Sequence, residues 1–271
     1  MINSELNFTL EEILPKFPKE FQEKIKHSVE LLRKAEKLAL AYSPNEGFYL
    51  SFSSGKDSQC LYHIAKIAGV KFKAHMGLTS VDPPEVIKFG REQYPDVDMI
   101  KPKISIYNQA RKEGVLPTRL IRWCCRVYKE GIGAGNVVLI GIRHAESIQR
   151  SGRNEVEITN HKYSGSLEGL DEFRDKRNSQ KRGRPTKSGI HEINITNASD
   201  ERTIGCIRGY ESLLISPIIE WTDDEVWLFL NTLGIKHCKL YDDGYYRIGC
   251  LCCPMHNYKQ KLADCKRYPH I

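Results

Sequence analysis

Three groups of residues in this 271-residue chain have types and spacing that suit chemistry. The first is Ser53-Ser54-Gly55-Lys56-Asp57-Ser58, where small residues let the backbone approach an anion, Lys56 brings a positive charge, and Asp57 and Ser58 are placed to cap a following helix. The second runs from Gly141 through Arg143 to Arg150. A guanidinium just past a buried strand end can hold phosphate or sulfate oxygens through two parallel hydrogen bonds, although a surface arginine paired with Glu146 is the plainer alternative. The third is the cysteines, Cys124-Cys125 and Cys250-Leu251-Cys252-Cys253. A C-x-x-C pair with two further thiols suits tetrahedral zinc or a four-iron, four-sulfur cluster, and thiols without metal remain a third reading. Adjacent cysteines diverge, which disfavours both as ligands of one zinc ion but not as ligands of a cluster with several irons.

Other chemistry-bearing residues are less specific. Asp82, in Thr79-Ser80-Val81-Asp82, is placed either to meet a ribose or adenine group or to serve as a helix-start acid before Pro83-Pro84. Cys60 reads as a core thiol, and Cys206 and Cys238 stand alone in polar surroundings. Cys252 is a spare able to replace Cys250 or Cys253.

The elements that must position these groups follow from hydrophobic periodicity. Val29, Leu32, Ala35, Leu38, Ala39 and Tyr42 predict an N-terminal helix over 20–42. From Gly47 the pattern becomes strand (to Phe52), helix (Leu61, Ile64, Ala65 and Ala68 on one face, stopped by Gly69), then strand (Val70 to Met76), which is a βαβ unit. A helix is expected from Pro84 to Tyr94, and Val137 to Ile142 is an apolar run suited to a strand buried on both faces. Thr222 to Glu225 is a capping box opening a helix that ends near Gly234 and carries no obvious chemistry. The expected fold is α/β, a parallel, doubly wound sheet with helices on both faces. It comprises an N-terminal helical section (1–46), a nucleotide-binding domain (47–258) with a surface insertion at about 151–200, and a cysteine-bearing C-terminal segment ending in a tail (259–271). In such a sheet the loop at Ser53 lies beyond a strand's carboxyl end and at a helix N-terminus, where free amides and the helix dipole favour an anion. The Walker pattern G-x-x-x-x-G-K-[ST] is absent from it.

The net charge is +7, and 174–187 holds seven basic residues against one acid, which suits either a solvated loop or DNA contact. That segment has no interleaved aromatics to stack on bases. Hydrophobic content of 40% and charged content of 28% are ordinary for a globular protein, and no apolar run approaches the roughly 18 residues of a membrane span. The acidic, amphipathic N-terminus is unlike a secretory signal, so a cytoplasmic location is expected, where nine cysteines point to metal or thiol chemistry rather than disulfides.

The loop Ser53 to Ser58 resembles the S-G-G-x-D-S loop of the adenine-nucleotide alpha-hydrolase superfamily, the ATP pyrophosphatases, with Ser54 where the first glycine usually stands. Gly141 to Arg150 resembles G-x-R-x-x-E-S-x-x-R, Pro217 to Trp221 with Val226-Trp227 resembles P-[IL]-x-x-W then V-W, and Arg122 to Cys125 resembles the C-C segment of iron-sulfur members. Together these segments make about 47–258 similar to the phosphoadenosine phosphosulfate reductase family, iron-sulfur type. The resemblance implies an adenine nucleotide held by Ser53, Ser54, Gly55, Lys56, Asp57, Ser58, Asp82, Gly141, Arg143 and Arg150, with Lys56, Asp57 and Arg143 catalytic. It also implies a four-iron, four-sulfur cluster on Cys124, Cys125, Cys250 and Cys253, Mg2+ arriving with ATP, and an electron- or sulfur-donor protein. Family reductases that accept a ready-made sulfonucleotide often lose the loop lysine and aspartate; both are kept here, which favours ATP. The family's E-C-G-x-H tail is not matched by Asp264-Cys265-Lys266-Arg267, so its nucleophile is not transferred to Cys265. The chain stops soon after a helix expected over Asn257 to Arg267, as a truncated member would. The implied activity is sulfur transfer or reduction, the DNA phosphorothioate variant included. The alternatives are a cluster-free ATP pyrophosphatase or adenylyltransferase resembling the small subunit of sulfate adenylyltransferase, and an inactive nucleic-acid-binding relative.

Overall fold

The computed structural model describes residues 2–130, 133–159, 163–170, 172–173 and 211–270. The basic stretch 174–187 and Cys206 lie outside them. Helix α1 (Leu10–Ile13) is closed by a capping box from Thr9, and α2 (Lys19–Tyr42) buries Phe21, Ile25, Val29, Leu32, Ala35 and Ala39, a stripe at helical spacing. Strand β1 (Phe48–Ser51) and helix α3 (Lys56–Ala68) follow. Gly69 ends α3 in the left-handed conformation, φ 71°, which a Cβ would strain. The βαβ unit is completed by β2 (Phe72–Gly77), and α4 (Pro84–Gln93) leads to β3 (Asp98–Ile100). Then come α5 (Ile106–Glu113), α6 (Trp123–Cys125), β4 (Val137–Leu139), α7 (Ile148–Ser151), β5 (Val156–Ile158), β6 (Tyr163–Gly165), β7 (Leu213–Ile215), α8 (Asp223–Thr232) and α9 (Tyr258–Arg267).

Among the described residues the seven strands form one sheet in the order β3-β2-β1-β4-β7-β5-β6. The pairs β1–β2, β2–β3, β1–β4 and β4–β7 are parallel, so the sheet is mainly parallel with helices packed on it. Connections run one way from β1 to β2 and β3, and the other way through β4 and β7. The chain therefore reverses its winding between β1 and β4, and ligands of such sheets bind at that switch point.

Two expectations change. The start of the 151–200 segment is not a surface insertion: β5 pairs antiparallel with β7 and with β6, extending the sheet. Val156 and Ile158 are 0% and 1% exposed, but a three-residue strand offers too little alternation to stand out from polar neighbours. Helix α3 is also buried far beyond its apolar stripe, because α2 and α8 both pack on it. Several of its interior polar groups are bonded: Gln59 accepts from Tyr94 Oη at 3.0 Å and donates to the Ser54 carbonyl at 3.3 Å, and His63 Nε2 lies 3.2 Å from Tyr94 Oη, while His63 Nδ1 has no hydrogen-bond partner among the described residues. Asn3 reaches the same tyrosine at 3.1 Å, drawing the start of the chain onto this network. No helix among the described residues is long and apolar enough to cross a membrane.

Candidate functional site

The loop after β1 is shaped by two serines. Ser54 is fully buried at φ 59°, a left-handed conformation that explains why glycine suits this place; a Cβ there costs strain that the surroundings must hold. Ser58 Oγ donates to the Gly55 carbonyl at 2.9 Å and accepts from the Ser53 amide at 3.2 Å, stitching the turn. The N-cap of α3 is Gly55, without a side-chain cap, so Ser58 closes the loop rather than capping the helix, and Asp57 does not cap either. The Lys56 amide donates to Tyr241 Oη at 3.0 Å.

Asp57 instead faces the next strand. Gly141, just past β4, packs so closely that a Cβ on it would lie 3.1 Å from the carbonyl carbon and oxygen of Asp57. Two residues on, Arg143 is 0% exposed, and its guanidinium donates to Asp57 Oδ1 at 2.7 Å, to the Trp221 carbonyl at 3.0 Å and to Asp223 Oδ1 at 2.6 Å. Glu146 is not the partner of its guanidinium: that carboxylate pairs with Arg150 and accepts from the Arg143 amide at 3.2 Å. Lys56, also buried, lies 3.2 Å from Asp223 Oδ1 and 3.5 Å from Asp57 Oδ2. Two cations and two carboxylates thus interlock across the ends of β1, β4 and β7, at and beside the switch point between β1 and β4.

Asp223 was not legible as a site residue. It opens α8, whose capping box predicted a helix without chemistry, and only the β4–β7 pairing brings it against Arg143. The available signal was its place two residues after Trp221. Tyr246 donates to Asp223 Oδ2, and its ring lies 5.5 Å from Lys56 Nζ. Burial works to raise the Asp223 pKa, but hydrogen bonds from Tyr246 and Arg143 and the charge of Lys56 hold it at about 2. Burial likewise works against the charge on Arg143, yet Asp57 and Asp223 raise its pKa above the ordinary guanidinium value.

The remaining predicted residues stand apart from this knot. Asp82 accepts from the Thr79 amide at 2.5 Å, closing the turn after β2, and with Ile87 and Arg91 lines an open cleft of about 500 Å3. Arg150 is turned to Glu146.

The cysteine segments meet beside the Asp82 turn, where the Leu251 amide donates to the Val81 carbonyl at 2.8 Å. Trp123 anchors the first segment, 3% exposed and donating from Nε1 to the Val115 carbonyl at 3.0 Å. Cys124 is hydrogen-bonded to Cys125 and feels Cys250; burial first, then these neighbours, push its thiol up to about 11. Lys129, although exposed, hydrogen-bonds Cys250, and the neighbouring Cys250, Asp82 and Cys125 raise its pKa above the ordinary lysine value. Thiols on two converging segments with a lysine beside them suit an anionic thiolate-held group in donor type and neighbourhood. Among the described residues, no three such side chains are drawn to metal-ligating separation. Cys252 turns to Cys265, Sγ to Sγ 3.6 Å. Cys60 is core, as expected, with its thiol on the Val226 carbonyl. Cys238 is core too, 0% exposed, contrary to its polar sequence neighbours.

Residues 47–256 match the model of the phosphoadenosine phosphosulfate reductase domain. An adenosine 5'-phosphosulfate reductase of Oceanobacillus iheyensis is 30% identical over 66 residues, which cover 24% of this chain and 28% of that protein. Adenosine 5'-phosphosulfate reductase 2 of Bacillus subtilis is 23% identical over 187 residues, covering 66% of this chain and 59% of that protein. The matches thus span less than two thirds of either relative. The crystal structure of the Candida glabrata FMN adenylyltransferase shares the fold with a TM-score of 0.50 at 14% identity, over 89% of this chain and 67% of that one.

Proposed function

Because the chain belongs to the phosphoadenosine phosphosulfate reductase family, we propose that it is an enzyme that binds an adenine nucleotide at Ser53–Ser58 and cleaves it at the α-phosphate, in sulfur transfer or reduction. The observation that carries this reading is the buried knot of Lys56, Asp57, Arg143 and Asp223 beside a helix N-terminus at the switch point. Four charged side chains gathered at the ends of parallel strands, two of them fully desolvated, bring little net stability, which favours a use in ligand binding over a purely structural one.

In this reading the phosphates lie on the Ser53–Ser58 loop and the start of α3, with the Lys56 amide, held by the Tyr241 hydroxyl, fixing the turn beside them. Lys56 exchanges part of its contact with Asp223 for a phosphate oxygen, and with the amides it stabilises the charge that builds on the departing pyrophosphate. Arg143 acts through the carboxylates: it fixes Asp57 and Asp223, and these aim Lys56. Asp57 and Asp223 are already tied to cations, so Mg2+ would arrive on the nucleotide with most of its waters, sharing the phosphate charge. Gly141 lets the chain after β4 come close enough to the loop for this. Asp82, at the β2 end, is assigned to the nucleoside side, and Arg150 to the outer rim.

Cys124, Cys125, Cys250 and Cys253 would hold a four-iron, four-sulfur cluster, which would supply a redox or electrostatic partner beside the nucleotide. Lys129 would then balance its negative charge. We assign 1–46 to a helical section, 47–258 to the nucleotide-binding domain and 259–271 to a tail, in a cytoplasmic protein. An electron- or sulfur-donor protein, and DNA at 174–187, are the partners this reading admits.

The deciding experiment is pyrophosphate release from ATP by anaerobically purified protein, with iron and acid-labile sulfide measured on the same sample. Release that Lys56→Ala lowers at least about a hundredfold, with iron and sulfide in equal amounts, upholds the reading. Tight sulfonucleotide binding without release refutes the ATP assignment, and colourless, iron-free protein refutes the cluster.

A further inference from the structure

Cys252 and Cys265 face each other across the gap between the second cysteine segment and α9, both exposed, with their sulfurs 3.6 Å apart. Backbone geometry holds them there. Cys252 takes φ 49°, a left-handed conformation that a side chain disfavours, and in it the Cys252 amide reaches Asp264 Oδ2 at 2.9 Å. Asp264 is 2% exposed and immediately precedes Cys265, so the strained turn is fastened to the helix one residue from the opposite thiol. The helix is pinned again at its end. Arg267 bonds Glu85 and Asp243, each at 2.8 Å, and Tyr268 Oη donates to Glu85 at 2.7 Å.

We propose that Cys252 and Cys265 form a thiol–disulfide exchange site, a two-electron couple whose exchange partner is the disulfide of a low-molecular-weight thiol. One cysteine thiolate attacks a sulfur of the incoming disulfide; the first S–S bond breaks, a mixed disulfide forms, and the released thiolate takes the proton given up by the cysteine. The second cysteine thiolate then attacks the protein sulfur of that mixed disulfide. The Cys252–Cys265 bond forms, and the second small thiol leaves with the second proton. Two cysteines are oxidised by two electrons and one disulfide is reduced to two thiols, and the reverse reaction reopens the pair.

The geometry favours the second step over simple release of the mixed disulfide. The sulfurs need to close from 3.6 Å to about 2.05 Å, and the ties at Asp264 and Arg267 keep the thiols adjacent throughout, so the second attack is intramolecular. Exposure of both sulfurs gives the small disulfide access. This exchange does not rest on the nucleotide reading, and it leaves Cys124, Cys125, Cys250 and Cys253 out of the couple.

The test equilibrates the full chain anaerobically with mixtures of reduced and oxidised glutathione, quenches by alkylation and maps the peptides. The expected result is a peptide pair joined through Cys252 and Cys265, exceeding the glutathione adduct at either residue at least about tenfold. In Cys252→Ser and Cys265→Ser the remaining thiol instead accumulates the glutathione adduct, while the circular dichroism spectrum and thermal unfolding, monitored as a check of folding, are unchanged. Both cysteines alkylated at high oxidised glutathione, or joined to any of the other seven, overturns the proposal. So does a metal ion in the protein as isolated whose removal by a chelator is needed before either thiol reacts. Wild-type mapping decides the matter even if a variant fails to fold.

Discussion

Arg143 and Asp223, 80 residues apart in sequence, meet at 2.6 Å between Nη2 and Oδ1, with the arginine wholly buried. Nothing in the local sequence of either residue specifies the other; β4 and β7 bring them together as neighbours in the sheet. The pair fixes the carboxylate against which Lys56 rests.

Asp223→Asn removes the charge shared by both cations while keeping the shape. The expected cost is about 3 kcal/mol of unfolding stability in urea, since a buried arginine loses a charged partner. The sign with pH follows from a carboxyl pKa lowered from 3.8 to about 2. Its contribution is complete above 3.8 and disappears as pH falls toward 2, so the gap between variant and wild type should narrow in that window. A gap independent of pH would deny the carboxylate its role.

Lys56→Ala should lower the rate of pyrophosphate release about 10²- to 10³-fold, the usual cost of losing one preorganised charge donor. Lys56→Arg should not restore it, because a planar fork does not fit the point where one ammonium lies 3.2 Å from Asp223 and 3.5 Å from Asp57. Steady-state kinetics with binding measured separately distinguishes a lost rate from lost affinity.

Gly141→Ala puts a methyl group 3.1 Å from the Asp57 carbonyl and 3.4 Å from the Ser58 amide. Both contacts are backbone, which cannot swing aside. We expect about 1–3 kcal/mol of destabilisation and nucleotide affinity reduced at least about tenfold, read by calorimetry. Unchanged affinity would separate the β4 end from the loop.

His63, on the same helix as Lys56, supplies a second pH effect. Burial lowers its pKa from 6.5 to about 3, so the unfolded chain binds its proton first as pH drops. Stability from this group is complete above 6.5 and is lost at about 1.4 kcal/mol per pH unit as pH falls toward 3. Chemical denaturation of wild type and His63→Gln between pH 7 and 4 should show the slope decrease by one proton in the variant.

The sequence made the βαβ unit and the loop legible because both depend on local signals: an apolar strand, small residues, a helix face, a terminal glycine. Arg143 was found by motif, but its surroundings were not, since a buried arginine needs carboxylates delivered by other strands. Asp223 looked like an ordinary first-turn acid for the same reason. β5 escaped notice because three residues carry almost no periodicity, and Cys238 because burial there comes from distant packing. The left-handed turn at Ser54 was half visible, as a serine standing where glycine is usual.

The strand order carries a consequence for how the molecule is made. β7 is the last strand synthesised, yet it occupies an interior place between β4 and β5. Until residue 215 has emerged, β4 presents an open, wholly apolar edge and the β5–β6 hairpin has no sheet to join. The cation–carboxylate knot can form only once β4 and β7, far apart in the chain, have paired.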